Sequence, residues 1–253
     1  MKVLVACEYS GTVREAFRSR GHNAVSCDLL PADDNSPNHY QGDVMDIIND
    51  GWDLMIAHPP CTYLAVSGLH WNKRVEGRAE KTEEALDFVR LLLAAPIERI
   101  ALENPISCIS SRIRKPDQII QPWWFGEDAS KKTCLWLKNL APLTATKIVP
   151  PNGWWPVKYA SDCLLCDVCG EPFCEDHFDH YADCECIGPT MDEAEYKTID
   201  GILFGSLEEN PPRPVWANQT PSGQNKLGPS DDRWKLRSKT YQGIADAMAA
   251  QWG

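Results

Sequence analysis

The chain has no uninterrupted apolar run near the roughly 18 residues of a membrane-spanning helix. Its opening stretch, Val3 to Cys7, meets the charged Glu8 too early for a signal-peptide core. Basic charge is also short: 25 Lys and Arg stand against 36 Asp and Glu, a formal net charge of -11. No internal repeat is found. With 43% apolar and 24% charged residues, the 253-residue composition is neither fibrous nor disordered, and it suits one good-sized domain plus a small module. These features predict a soluble, cytoplasmic protein with a packed core and no membrane partner; a monomer is expected.

The acidic average conceals a strong asymmetry. Asp162 to Glu209 holds fourteen Asp or Glu against one Lys, whereas Pro211 to Gly253 holds six Lys or Arg against three Asp. Ser107 to Lys147 carries seven basic residues against three acidic ones. Two basic surfaces thus flank an acidic insert, which reopens a nucleic-acid partner that the net charge argues against.

The first half alternates short apolar runs with amphipathic stretches, the pattern of an α/β fold with a mostly parallel sheet. Lys2–Cys7 reads as a buried strand. A helix follows with Thr12 and Glu15 as a capping box, Val13, Ala16 and Phe17 on its apolar face, and Gly21 at its end. Asn23–Cys27 is a second strand ending in Asp28, a short third segment surrounds Asp43, and Asp53–Ala57 runs into His58, Pro59, Pro60 and Cys61. A helix is predicted from Ala79 to Ala94, with Ala85, Phe88, Val89, Leu92 and Leu93 inward, then a strand Arg99–Leu102 delivering Glu103 and Asn104. The last helix, Thr240–Trp252, puts Ile244, Met248 and Trp252 on one stripe and is expected to pack back on the first domain. The division predicted is a catalytic domain over 1–150, an insert over 151–210, and a basic segment with the final helix over 211–253.

Ligands of open parallel sheets bind at the carboxyl ends of the strands. Two prolines stiffen the chain before Cys61, presenting a thiol at that edge as a nucleophile, while Glu103 adds a carboxyl from a neighbouring strand end. The bland alternatives are a small buried thiol and an ordinary helix-start acid.

Six of the eleven cysteines crowd between Cys163 and Cys186. Cys163, Cys166, Cys169, Cys174, His177, His180, Cys184 and Cys186 supply soft ligands at spacings that suit tetrahedral structural zinc, one ion or two. The insert has little apolar mass, so metal would stand in for a core.

With Pro-Cys after the fourth strand and Glu-Asn after the fifth, the first 150 residues and the final helix resemble the DNA cytosine-5 methyltransferases. The chain looks like a small, phage-like member with a zinc-binding insert, residing in host cytoplasm if viral. The resemblance implies a Rossmann-like methyltransferase sheet, S-adenosylmethionine as cofactor and DNA as partner. It implies that Cys61 adds to carbon 6 of cytosine, Glu103 holds a proton at ring nitrogen 3, and Asn104 fixes the loop. The donor would lie against Glu8, Tyr9, Ser10 and Gly11 in the first strand-to-helix turn, where helix amides can meet a carboxylate, with Asp28 on the ribose, Asp43 on the adenine amine, and Pro59 beside them. Only Gly11 remains of the family's Phe-x-Gly-x-Gly pattern. The family's Gln-x-Arg-x-Arg motif is reduced to Ser130, Lys131, Lys132 and Thr133, leaving Lys131 as an electrostatic helper.

Tyr241, Gly243, Ile244 and Ala245 resemble the family's last motif. Before them, Arg233, Lys235, Arg237 and Lys239 bracket Trp234, which suits phosphate and base-stacking contacts or, more plainly, a solvated face. Two other readings stay open: a DNA amino-methyltransferase, whose Pro-Pro motif ordinarily precedes an aromatic rather than Cys61, and a catalytically inactive, zinc-stabilised nucleic-acid-binding protein.

Overall fold

The computed structural model describes residues 1–155, 197–199, 202–204, 213–220, 225–230 and 233–253. Its main sheet contains β1 (Lys2–Ala6), β2 (Asn23–Asp28), β3 (His39–Gln41), β4 (Leu54–Ala57), β5 (Arg99–Pro105), β6 (Gln118–Ile120) and β7 (Thr133–Lys138). The spatial order is β3-β2-β1-β4-β5-β7-β6. Strands β1 to β5 pair in parallel, and β7 turns back antiparallel against both β5 and β6. The α/β, mostly parallel sheet expected from the alternation is therefore observed.

Side-chain alternation divides the core between the two faces. Val3, Val5, Leu54, Ile56 and Leu135 pack on one face with Phe17 of α1 (Thr12–Arg18) and with Ile244, Met248 and Trp252 of the C-terminal helix. Leu4, Ala6, Met55, Ile100, Leu102 and Trp136 pack on the other with Leu86, Val89 and Leu92 of α2 (Arg78–Leu93). The inward stripe of α2 is rotated slightly from expectation: Leu86 is fully buried, while Ala85, Phe88 and Leu93 pack at the margin.

The start of α1 differs from the capping-box prediction. Its N-cap is Gly11 in the left-handed region (φ 74°), with no side-chain cap from that residue. The carboxylate of Glu8 takes that role, accepting from the Val13 amide at 2.7 Å and the Arg14 amide at 3.2 Å. A Cβ at Gly11 would also collide with the guanidinium of Arg14, which is fully buried and bonded to Ser26 Oγ at 2.8 Å and to Asp34. The expected hydroxyl cap is displaced because an acid from the preceding turn reaches the same amides.

The other helices among the described residues are the short α3 (Ile109–Arg112, between β5 and β6) and, after β7, the short α4 (Arg233–Ser238) and the longer α5 (Gln242–Trp252). Helix α5 buries Ile244, Met248 and Trp252 in the core cluster that holds Phe17 of α1 and one face of the sheet. The chain divides into two compact units, Met1–Pro150 with Lys226–Gly253, and Pro151–Asn225. The second unit contains two small antiparallel pairs, β8 (Trp154–Trp155) with β11 (Arg213–Pro214), and β9 (Lys197–Ile199) with β10 (Ile202–Phe204). Among the described residues no helix is long and apolar enough to cross a membrane.

At the start of α5, Gly243 lies so close to the main chain of the first domain that a Cβ would come within 1.9 Å of the Phe125 carbonyl oxygen. Its amide also donates to Glu127 Oε1 at 3.1 Å. Gly243→Ala is expected to destabilise the protein by about 1–3 kcal/mol through overpacking against a backbone atom. Urea denaturation checks this, and an unchanged midpoint would contradict the close packing of α5.

Candidate active site

The parallel register of β4 and β5 aligns Ala57 with Leu102. The next residue on each strand is therefore His58 and Glu103, and these meet: His58 Nδ1 lies 3.1 Å from Glu103 Oε2, with only 8% and 11% of the two side chains exposed. The His58 amide continues the neighbouring ladder by donating to the Ala6 carbonyl at 2.9 Å. One residue further on, Asn104 Nδ2 donates to the Pro59 carbonyl at 2.9 Å. This bond holds the buried Pro59 and fixes the loop that carries Cys61, an exposed residue.

The reacting groups expected from the sequence sense one another. Burial pushes the Glu103 carboxyl up, but the His58 hydrogen bond, the Lys131 charge and the His58 charge together outweigh it and hold the group below the usual carboxylate range. The Cys61 thiol is pushed up by desolvation and by the charge of Glu103, against the opposing pull of Lys131, the backbone and Arg237. Lys131 belongs here because antiparallel β7 starts beside the end of β5, with Thr133 opposite Pro105. Cys61, Glu103, Asn104 and Lys131 thus share one rim.

A groove of about 460 Å³ opens on the α2 side of the Pro59–Pro60 loop, lined by Tyr63, Lys81 and Phe88 among others; neither Cys61 nor Glu103 lines it. The rim that holds Cys61 and Glu103 therefore lies outside that groove.

The ends of β1, β2 and β3 form the adjoining rim. Cys7 adopts a left-handed backbone (φ 59°). Burial pushes its thiol up, with Asp28, Cys27 and Asp43 adding to the shift, so the two acids lie close to it. Asp28 is half-buried and accepts from the Leu30 amide at 2.9 Å; desolvation raises its carboxyl above the usual range. Asp43 caps a short 3-10 turn, accepting from the Met45 amide at 3.0 Å. Glu8 is buried, and burial pushes its carboxyl up against the opposing effects of His58, the two helix amides and Arg14. Ser10 Oγ donates to Glu8 at 3.4 Å. The amides of Val13 and Arg14, the helix-start donors expected to meet a ligand carboxylate, are thus taken by the chain's own acid.

Helix α4 is pinned to both rims. Tyr9, a buried residue of the β1 turn, donates from its hydroxyl to the Lys235 carbonyl at 2.7 Å. On the other side, Lys131 Nζ donates to the Arg237 carbonyl at 3.1 Å. Lys239 completes the attachment with an ion pair to Asp33 at 2.7 Å. Trp234 and Leu236 remain more than half exposed.

His58 and Arg14 are the residues of these rims that sequence reasoning missed, while Arg237 was read only as part of the basic cluster around Trp234. His58 carried the one usable signal, a titratable residue directly before Pro-Pro at a strand end. The proposed zinc ligands, Cys163, Cys166, Cys169, Cys174, His177, His180, Cys184 and Cys186, lie outside the described residues. Among the described residues no cluster of His, Cys, Asp or Glu is arranged to hold a metal ion.

No protein-family model matches the chain, and no curated protein matches it. A solved structure of a candidate DNA modification methyltransferase encoded within a prophage (E. coli) is similar at 15% identity with a TM-score of 0.37. The similarity covers 61% of this chain and 57% of that one, so it spans little more than half of that protein's length.

Because the Cys61 thiol is raised, its thiolate fraction at neutral pH is small and its alkylation should accelerate as pH rises. Removing the nearby cation in Arg237→Met is expected to raise the thiol further and slow labelling of Cys61 by iodoacetamide at pH 7.5, followed by peptide mass spectrometry. Equal or faster labelling in the variant would contradict the electrostatic contact.

Proposed function

We propose that the protein methylates cytosine in DNA at ring carbon 5, with S-adenosylmethionine as donor and Cys61 as a transient covalent nucleophile. The observation that carries this reading is the shared rim of Cys61 and Glu103, stitched by the Asn104–Pro59 bond. Carbon 5 of cytosine is a weak nucleophile until a thiolate adds at carbon 6 and converts the ring to an enamine.

The bound donor supplies an electrophilic sulfonium methyl. Asp28 and Asp43, close together around Cys7 at the ends of β2 and β3, fit the hydroxyl and amine donors of a nucleoside. The α1 amides do not fit its carboxylate, since Glu8 occupies them. Tyr9, Ser10, Gly11 and Pro59 would then contribute shape rather than charge.

The chain's own steps follow from the rim. The Cys61 thiolate forms a bond to carbon 6 while ring nitrogen 3 takes a proton at Glu103. Carbon 5 takes the methyl and then loses its hydrogen as a proton to a base. The sulfur–carbon bond breaks, the thiolate is restored, and the nitrogen 3 proton returns. Lys131 favours the Cys61 thiolate and, in the resting site, the ionised carboxyl of Glu103. A base buried in a duplex must be flipped out to reach this edge.

Helix α4 supports DNA as the partner. It bridges the two rims and leaves Trp234 and the Arg237 side chain exposed beside them, an aromatic and cationic surface suited to phosphate contact and stacking.

Incubation with mixed DNA and methyl-labelled donor, followed by nucleoside analysis, is expected to yield labelled 5-methylcytosine, abolished by Cys61→Ser. Label on an exocyclic amine, or activity unchanged in the variant, overturns the reading. The double variant W234A/R237A is expected to weaken binding to all DNA sequences alike and to reduce the slope of log affinity against log salt by about 1 for the lost phosphate contact. Fluorescence titration across a salt series measures it, and an unchanged affinity and slope would contradict the role of α4.

A further inference from the structure

The pyrimidine chemistry leaves one requirement unassigned. Ring nitrogen 3 of cytosine is an acceptor, and an ionised carboxylate is also only an acceptor, so the two cannot bond until a proton is supplied. Glu103 is the group that would meet that nitrogen, yet its surroundings favour the ionised form. The proton has to come from a neighbour in contact with it.

We propose that His58 is a positioning residue that stores this proton and passes it through Glu103 to the target base. The inference rests on the cytosine carbon-5 reading above. His58 is held by backbone rather than by chance packing: its amide belongs to the β1 ladder and its ring reaches β5. Nδ1 faces the Glu103 carboxylate at 3.1 Å and must carry the proton there, because the carboxylate cannot donate. Nε2 is closed to solvent and has no hydrogen-bond partner, so the contact with Glu103 is the hydrogen bond that orients the ring.

Charged groups face the His58–Glu103 pair from several elements. Glu103 faces the ring from β5, and Glu8 in the turn after β1 also senses its charge. The Glu8 carboxylate is already occupied by the Val13 and Arg14 amides, so it acts on His58 through charge alone. Lys131, leading into β7, and Arg14 act from further out, on Glu103 and Glu8 respectively. Cys61 senses Glu103 from the loop after β4.

In the step itself the Nδ1–H bond breaks and a proton reaches Glu103 Oε2. The carboxyl delivers a proton to nitrogen 3, where a new N–H bond forms. His58 is left neutral with its remaining hydrogen on Nε2, and the pyrimidine carries the positive charge the imidazolium gave up. When Cys61 is eliminated the proton retraces the path. Histidine is suited to this exchange because its charge changes near neutral pH.

His58→Asn tests the role, since the amide keeps a donor near the Nδ1 position but cannot release a proton. Single-turnover methyl transfer in H58N is expected to fall roughly 100-fold, with DNA affinity unchanged. The deficit of H58N relative to wild type should shrink as pH falls and solvent can protonate Glu103 directly. A wild-type rate and profile in H58N overturns the proposal. Carbon-13 NMR of the Glu103 carboxyl in the intact wild-type protein decides the point should the variant fail to fold. A second inflection, reporting the coupled imidazole, is expected, and a single step overturns it. Absence of 5-methylcytosine in the wild type would defeat the functional reading, while the NMR titration would still report whether the pair shares a proton.

Discussion

Two hydrogen bonds between the ends of β4 and β5 carry the account: His58 to Glu103 and Asn104 to Pro59. Each joins residues 45 positions apart in the chain, and both follow from the parallel register that sets Ala57 beside Leu102. Neither side of the rim is positioned without the other. Prolines alone would stiffen the Cys61 loop without aiming it, and a buried carboxylate without a hydrogen-bonding partner would be costly to hold in its ionised form.

Electrostatics then gives Glu103 and Cys61 opposite tendencies. Glu103 is held low by His58 and Lys131 against its burial, whereas the Cys61 thiol is held high by its surroundings and by Glu103 itself. A thiol held high is largely protonated in the resting protein. The cations Lys131 and Arg237 counter that tendency.

Much of this was legible from periodicity and strand ends. The β1–α1–β2 unit, the Pro-Cys and Glu-Asn strand ends, and the stripe of Ile244, Met248 and Trp252 all rest on local patterns that tertiary packing did not override. The start of α1 was misread because Thr12 and Glu15 match a capping box, while the left-handed Gly11 brings Glu8 onto the same amides. The partner of His58 was invisible because only strand register brings position 103 alongside position 58. Lys131 was placed by an antiparallel return that hydropathy does not reveal, and the attachment of α4 depends on main-chain carbonyls that no side-chain pattern marks.

The most direct test of the central claim uses DNA carrying 5-fluorocytosine, in which the carbon 5 substituent cannot leave as a proton and the covalent adduct persists. After reaction with donor and proteolysis, the account predicts a pyrimidine mass on the peptide containing Cys61, lost in Glu103→Gln. A complex linked through any other residue, or no linkage from a protein that methylates ordinary DNA, would contradict it.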